Sequence, residues 1–297
     1  MKNPLKITIL LLAMFLITQL LGLYVVNYYS PVEKVLPFGL EPPQPQQPSD
    51  YPPLLGYIIF AFIMAILLVF LFTKFKLSFI FKIWFLVVVV LALSVSLLAI
   101  LPIKTTLIAF IIAIPLALIK IYGKNFIVHN LTELFIYPGI AAIFVPILNI
   151  WTTIVLLILI AVYDVWAVWH SGIMQRMVKY HVKETGIIPG FFVPHVSKKI
   201  KEQIKKWKKT LSKKQLEKKK IKVGVAILGG GDIVFPIIAA GVMLRTFGLL
   251  PALLVTLGAA LGLAYIFLFS KKGKYYPAML FITPGILLGM LVGWLVF

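Results

Sequence analysis

Nine apolar stretches, separated by shorter polar segments, run along this chain. A helix needs about 20 apolar residues to cross the hydrocarbon core of a bilayer, and most of the stretches reach that length. The pattern predicts nine transmembrane helices, or eight if the short fourth stretch or the narrow gap between the fifth and sixth does not separate two spans. The predicted spans are Ile7–Asn27, Leu54–Thr73, Ile83–Leu101, Thr105–Ile119, Phe126–Leu148, Trp151–Trp169, Lys222–Leu244, Gly248–Phe269 and Tyr276–Phe297.

The composition supports this interpretation. Of the 297 residues, 61% are hydrophobic and 13% are charged, and the mean hydropathy is +1.04, which is more apolar than a soluble domain requires. The absence of cysteine excludes disulfides and thiolate catalysis. We therefore predict an all-α membrane protein with helices one to six in residues 1–169, a basic loop in 170–221 and helices seven to nine in 222–297.

Charge predicts the orientation of the spans. The formal net charge is +20, and 26 of the 29 Lys and Arg residues fall on the N-terminal side when loops alternate between two sides; the other three are Lys34, Lys104 and Arg245. The positive-inside rule then places the N-terminus and the basic loop in the cytoplasm and Phe297 outside. A wrong number of spans would blur this division, so its sharpness favours nine.

The basic loop carries apolar residues at helical spacing, with lysines on the opposite face: Ile200, Ile204, Trp207 and Leu211. This spacing predicts an amphipathic helix on the inner leaflet, and the alternative is a solvated charged segment that only fixes topology. No base-reading or stacking module accompanies the charge. We therefore expect membrane lipids, and no nucleic acid, as partners of this loop.

Three acidic residues lie within the predicted spans: Glu133, Asp164 and Asp232. Each costs roughly 2.5–3.5 kcal/mol at a helix centre, so such residues are candidates for function. Asp164 and Asp232 lie about 9 Å and about 15 Å from the inner boundary on consecutive antiparallel spans. Two facing carboxyls would share a proton, as in an aspartyl protease or in the proton relay of a transporter.

The other ionisable residues give weaker signals. His129 and Glu133 share a face of span five near its inner end, so we expect them to snorkel or to pair with a lysine. His170, His181 and His195 lack the spacing of a ligand set, so no metal or other cofactor is expected.

Glycine and proline surround Asp232. Gly229, Gly230 and Gly231 precede it and permit another backbone to approach closely, and Pro236 follows it and favours a kink. A peptide bond must leave its helix before it can be cut, and a glycine-rich, kinked helix gives room for an extended strand. The alternative is ordinary helix packing around a structural aspartate.

These residues resemble the presenilin and signal-peptide-peptidase family of intramembrane aspartyl proteases. Tyr163–Asp164 match its YD pair, Gly229–Asp232 match GxGD, and Pro277, Ala278 and Met279 match PAL with methionine in place of leucine. The resemblance implies that Asp164 and Asp232 are the catalytic pair. It also implies that Tyr163, Gly229–Gly231 and Pro277–Met279 shape the site and bind substrate.

The expected function is hydrolysis of peptide bonds within transmembrane helical segments, without a cofactor. A proton-coupled transporter or ion-leak channel that uses the same two acids is the alternative, and a non-catalytic scaffold that binds helices is a third possibility. The absence of cysteines and targeting signals favours a prokaryotic, archaeal-type homologue in the plasma membrane.

Overall fold

The computed structural model describes residues 5–30, 36–39, 43, 45–101, 105–123, 125–171, 186–187, 189–195, 224–270 and 276–297. Nine α-helices lie in these ranges, and each overlaps one predicted span. They are α1 (Leu5–Tyr28), α2 (Tyr51–Lys74), α3 (Ser78–Ile100), α4 (Thr106–Tyr122), α5 (Phe126–Phe144), α6 (Ile150–Val165), α7 (Gly231–Phe247), α8 (Leu249–Phe269) and α9 (Met279–Val296).

The helices are those of a multi-pass membrane protein. Seven helices among the described residues are long and apolar enough to cross a bilayer, whereas α4 is apolar but has only 17 residues. The surface helix predicted around residues 200–211, and most of the predicted 170–221 loop, lie outside the described residues. The orientation of the termini and the division into segments remain predictions.

One part of the all-helical prediction is wrong. Residues Gly224–Gly229, expected to begin span seven as a helix, form a strand, β2, that pairs antiparallel with β1 at Gly190–His195. α7 begins only at Gly231. Branched residues at Val225 and Ile227 favour a strand, and the glycines weaken the helix. The paired residues lie 29 to 39 positions apart in the chain, so local periodicity could not reveal the pairing.

The core of the bundle surrounds α7. Ile233, Ile237 and Met243 of α7 are fully buried, and they belong to one cluster with residues of α1, α5, α8 and α9. Asp232 therefore stands at the end of a helix that is enclosed by its neighbours. This enclosure fixes the position of the carboxyl relative to the rest of the protein.

Glycines bring α8 and α9 into close contact. Gly258 of α8 faces Gly285 of α9, and a Cβ on either would collide with the backbone of the other. Gly289 lies against Leu254 and Val255 of α8 in the same way. Small residues at such a seam let helix backbones approach closely in a membrane. The seam holds α9, and with it the residues at its start, against the bundle.

We expect Gly289→Ala to lower the free energy of unfolding by about 1–3 kcal/mol, the usual cost of overpacking. The added Cβ would lie 2.6 Å from the Leu254 carbonyl oxygen and 2.7 Å from the Val255 Cα, and backbone atoms cannot rotate aside. The matched control is Gly56→Ala in α2, where the new Cβ meets nothing within 4 Å. Thermal unfolding in detergent measures both variants, and equal midpoints would contradict the close approach.

Candidate active site

Asp164 lies at the C-terminal end of α6, one residue before the helix ends at Val165. The chain continues as a π-helical turn over Trp166–His170, in which the Ser171 N–H donates to the Trp166 carbonyl at 3.0 Å. Such turns are rare overall, but those that occur are often found at functional sites. The Asp164 side chain is partly buried, and it lies next to the point where the helix changes its hydrogen-bonding pattern.

The start of α9 contacts Asp164 directly. The backbone N–H of Met279, the first residue of α9, donates to Asp164 Oδ2 at 3.0 Å. The first N–H groups of a helix have no partner inside the helix, and they carry partial positive charge. The carboxylate thus satisfies a free donor, and one of its oxygens is held in place. Pro277 is buried and leads the chain into this contact through Ala278.

Asp232 is the second residue of α7 and follows the end of β2 by three residues. Its carboxyl accepts a hydrogen bond from the Gly229 backbone. A Cβ on Gly229 would lie 3.1 Å from Asp232 Oδ2, which is tighter than ordinary contact. Glycine at position 229 therefore leaves space for the Asp232 carboxyl and lets the Gly229 backbone donate to it.

The two carboxyls lie on α6 and α7, which contact each other. The charge of Asp164 acts on Asp232, so the groups lie within electrostatic range of each other. Each is also placed at a helix N-terminus, Asp164 at that of α9 and Asp232 at that of α7, where negative charge is favoured. Asp164 therefore contacts the start of α9 and lies within electrostatic range of Asp232, while the catalytic role of these residues remains a prediction.

Tyr163 faces α2. Its ring makes an edge-to-face contact with Phe62 at 5.6 Å between centroids, and it lies 6.3 Å from Trp166. The side chain therefore forms part of the wall between α6 and α2 next to Asp164.

Two buried residues near Asp232 did not stand out in the sequence. Gln19 of α1 donates through Nε2 to the Ile233 carbonyl at 3.0 Å, and the only sequence signal was a polar amide within an apolar span. Tyr137 of α5 lies over Gly230, where a Cβ would come within 2.8 Å of its hydroxyl. Tyrosine is common in membrane proteins, so its position in span five gave no signal.

His129 and Glu133 make contacts with each other, with α4 and with β1. Glu133 forms a buried ion pair with Lys120 of α4, and His129 Nε2 lies 3.4 Å from Glu133 Oε1, which confirms the expected pairing with a lysine. Among the described residues, no three His, Asp or Glu side chains come together in a way that could hold a metal ion.

Comparison with known proteins agrees with this arrangement. The family described as signal-peptide peptidase, presenilin aspartyl protease matches residues 12–297. No curated protein sequence matches the chain. A solved structure of a presenilin-family intramembrane aspartate protease in space group C222 superimposes with a TM-score of 0.59 and 20% identity, covering 98% of this chain and 99% of that chain. A structure so described in space group P2 gives 0.57 and 20%, with 97% of each chain covered.

The likeness of fold extends over almost the whole length of both chains, and the family match includes both aspartates and the start of α9. The chain therefore belongs to the signal-peptide peptidase and presenilin family of aspartyl proteases, and it is an aspartic-type intramembrane endopeptidase.

Proposed function

We propose that this protein hydrolyses peptide bonds within transmembrane segments by using Asp164 and Asp232 as a dyad that activates water. The proposal is supported by two observations: Asp164 and Asp232 lie within electrostatic range of each other, and each accepts from a backbone donor, Met279 for Asp164 and Gly229 for Asp232. Both acids lie at the ends of helices fixed by the bundle, which is the rigid support that precise positioning requires.

The chemistry needs one proton held between the two groups. The ionised carboxyl takes a proton from water as the water oxygen attacks the carbonyl carbon, and the protonated carboxyl donates to the carbonyl oxygen. The tetrahedral intermediate collapses when a proton passes to the amide nitrogen and the C–N bond breaks. The Met279 N–H engages Oδ2 of Asp164, which leaves Oδ1 of that residue for these transfers.

The outer edge of β2 is where the substrate binds as an additional strand. The peptide groups of Gly190 and Phe192 in β1 are hydrogen-bonded on the side that faces away from β2. Because the direction of peptide groups alternates along paired strands, Val225 and Ile227 direct theirs to the outer edge of β2. No hydrogen bond from the described residues reaches that edge. A strand added there would run towards Asp232, three residues beyond β2, with its peptide bonds unwound.

The side chains along β2 fit this role. Val225 and Ile227 are 45% and 42% exposed, whereas Ala226 and Leu228 are 9% and 3% exposed. One face of the hairpin therefore packs into the bundle, and the other offers apolar surface to an incoming segment. A transmembrane helix that unwinds locally supplies the apolar side chains that suit such a surface.

The alternative of a proton-coupled transporter or ion-leak channel finds no support in the family or in the fold. A relay needs the two acids but has no use for a free strand edge that leads to one of them. Reconstitution in liposomes separates the two functions, because a transporter gives ion or solute flux without peptide fragments.

We also propose that the protein lies in a prokaryotic plasma membrane with its N-terminus inside. The support is the placement of 26 of 29 basic residues on one side of the predicted spans. A substrate would then be cut nearer its cytoplasmic end. Labelling of a cysteine at position 297 from the cytoplasmic side alone would contradict this orientation, and the cysteine-free chain makes that measurement direct.

The test of the proposed function is incubation of the purified protein in detergent with a tagged single-span substrate. We expect two fragments whose masses sum to the substrate plus one water, and inhibition by peptides that carry a hydroxyl in place of the scissile carbonyl, because these mimic the tetrahedral intermediate. Intact substrate across a panel of single-span sequences would overturn the proposal.

A further inference from the structure

The outer edge of β1 is covered by three polar side chains of α5. Asn130 makes two hydrogen bonds to the peptide groups of Phe192: its Nδ2 donates to the carbonyl at 2.8 Å, and its Oδ1 accepts from the N–H at 3.0 Å. This is the pattern of a neighbouring strand, made here by a side-chain amide. The side chain is almost fully buried, so water does not compete well for these bonds.

Gly190 is held by the other two side chains. Its N–H donates to Glu133 Oε1 at 3.3 Å, and its carbonyl lies 3.0 Å from His129 Nε2. Gly190 has a φ of 129°, which favours glycine, and a side chain there would meet the backbone of Leu228 in β2. The peptide groups that β1 turns away from β2 at Gly190 and Phe192 are thus all engaged by α5.

The ion pair beneath these contacts is costly. Lys120 and Glu133 are both buried, and an apolar pair of similar volume would usually stabilise the fold as well or better. The stability of the fold therefore does not explain why Lys120 and Glu133 are charged residues. Lys120 orients the Glu133 carboxylate, and that carboxylate presents an acceptor to Gly190 at a place where β1 would otherwise have an open edge.

We propose that His129, Asn130 and Glu133 form an edge clamp that closes β1 to strand pairing, fixes the hairpin against α5, and so directs the substrate strand to β2 in one alignment with Asp232. An open strand edge invites pairing with another strand. The clamp removes that possibility on one side of the hairpin. These three are positioning residues, because they act through the hairpin and do not touch the aspartates.

The proposal rests on the proposed function, since alignment has meaning only if a substrate is cut. Its structural part has its own readout in amide hydrogen exchange of residues 190–193. In Asn130→Ala we expect about tenfold faster exchange there, because two hydrogen bonds to Phe192 are lost. Unchanged exchange overturns the edge clamp, whatever the activity of the protein.

The matched control is Asn125→Ala on the same helix. Asn125 caps the start of α5 by accepting from the Ile127 N–H at 2.9 Å, and it has no hydrogen bond to the hairpin. The variant should lose helix stability without faster exchange at residues 190–193. Equal acceleration in both variants would show that loosening α5 is sufficient, and it would overturn a specific role for Asn130.

Cleavage provides the functional readout. For Asn130→Ala we expect several-fold more cutting at bonds adjacent to the main site and a several-fold lower kcat, with KM changed by less than about twofold because β2 itself is intact. Mass spectrometry of the fragments and steady-state kinetics measure these quantities. Faster exchange with an unchanged product pattern and kcat overturns the directing role of the clamp.

Two further results keep the test decisive. If Asn130→Ala does not fold, Asn130→Asp retains an acceptor for the Phe192 N–H but loses the donor to its carbonyl, and it should show a smaller change in exchange and product pattern. A wild-type protein that cuts no transmembrane substrate overturns the proposed function and the directing role together, while the exchange measurement alone decides whether α5 closes the β1 edge.

Discussion

Replacing Asp232 with asparagine should abolish peptide hydrolysis while leaving the fold intact, and Asp164→Asn should do the same. Asparagine keeps the volume and the acceptor oxygen that bonds to Gly229 or Met279, but it can neither take a proton from water nor deliver one. Loss of general acid–base catalysis lowers rates by about 10²–10⁴-fold. Fragment release from a single-span substrate measures the effect.

The matched control is Asp50→Asn. Asp50 lies before α2, and among the described residues its carboxylate accepts only from the backbone N–H groups of Gln46 and Gln47, at 2.9 Å each. This variant should retain activity, and all three should share the thermal unfolding midpoint of the wild type to within a few degrees. Cleavage that persists in Asp164→Asn and in Asp232→Asn would remove the proposed mechanism.

Gly230→Ala should lower activity on the order of 10²-fold, the usual effect of displacing a catalytic group by about 1 Å. The new Cβ would lie 2.8 Å from the Tyr137 hydroxyl and 2.9 Å from its Cε1. The Tyr137 ring is buried and packs edge-to-face against Phe191 of β1, so its movement is restricted. The junction between β2 and α7 must shift instead, and Asp232 with it.

The neighbouring glycine supplies the control for this prediction. A Cβ on Gly231 would have its nearest contact at 3.6 Å, with Phe235, which is ordinary van der Waals distance. Gly231→Ala should therefore retain most activity. Shortening the ring by Tyr137→Leu should restore part of the activity of Gly230→Ala, and a double-mutant cycle measures the coupling. Equal losses in the two alanine variants would contradict the steric explanation.

This result would show that Gly230 and Gly231 differ in their effect on activity, which the sequence alone does not indicate. The family pattern leaves residue 230 open between two glycines, and the three glycines of this chain look equivalent in sequence. Only the position of Tyr137, brought in by α5, distinguishes Gly230 from Gly231. A contact between residues 93 positions apart is set by helix packing, and no local pattern encodes it.

The spans and the acid pair were predictable because hydrocarbon imposes strong constraints. Apolar length locates the helices, and a carboxyl within a span is rare enough to draw attention. The structure places Asp164 near the end of α6 and Asp232 near the start of α7, which follows α6 in the order of the helices. The β-hairpin was not predictable, because Gly224–Gly229 read equally well as the start of an apolar helix and their partner strand comes from the basic loop.

The methionine at position 279 shows how a motif can vary. Its contact with Asp164 is made by the backbone N–H, while its side chain is buried in the core. Exchange of leucine for methionine conserves volume approximately. The hydrogen bond needs only that residue 279 is not proline and that the helix begins there, so the departure from the family's leucine leaves the contact in place.

The short link from β2 to Asp232 has a consequence for the choice of substrates. In the proposed binding mode, pairing along β2 uses main-chain groups, which every peptide possesses, and the covalent link from β2 to Asp232 fixes which peptide bond of the bound strand lies next to the attacking water. Side-chain identity then matters less than the ease with which a membrane helix surrenders its internal hydrogen bonds. Proteins whose transmembrane helices unwind easily would be cleaved quickly, and proteins whose transmembrane helices resist unwinding would remain intact in the same bilayer.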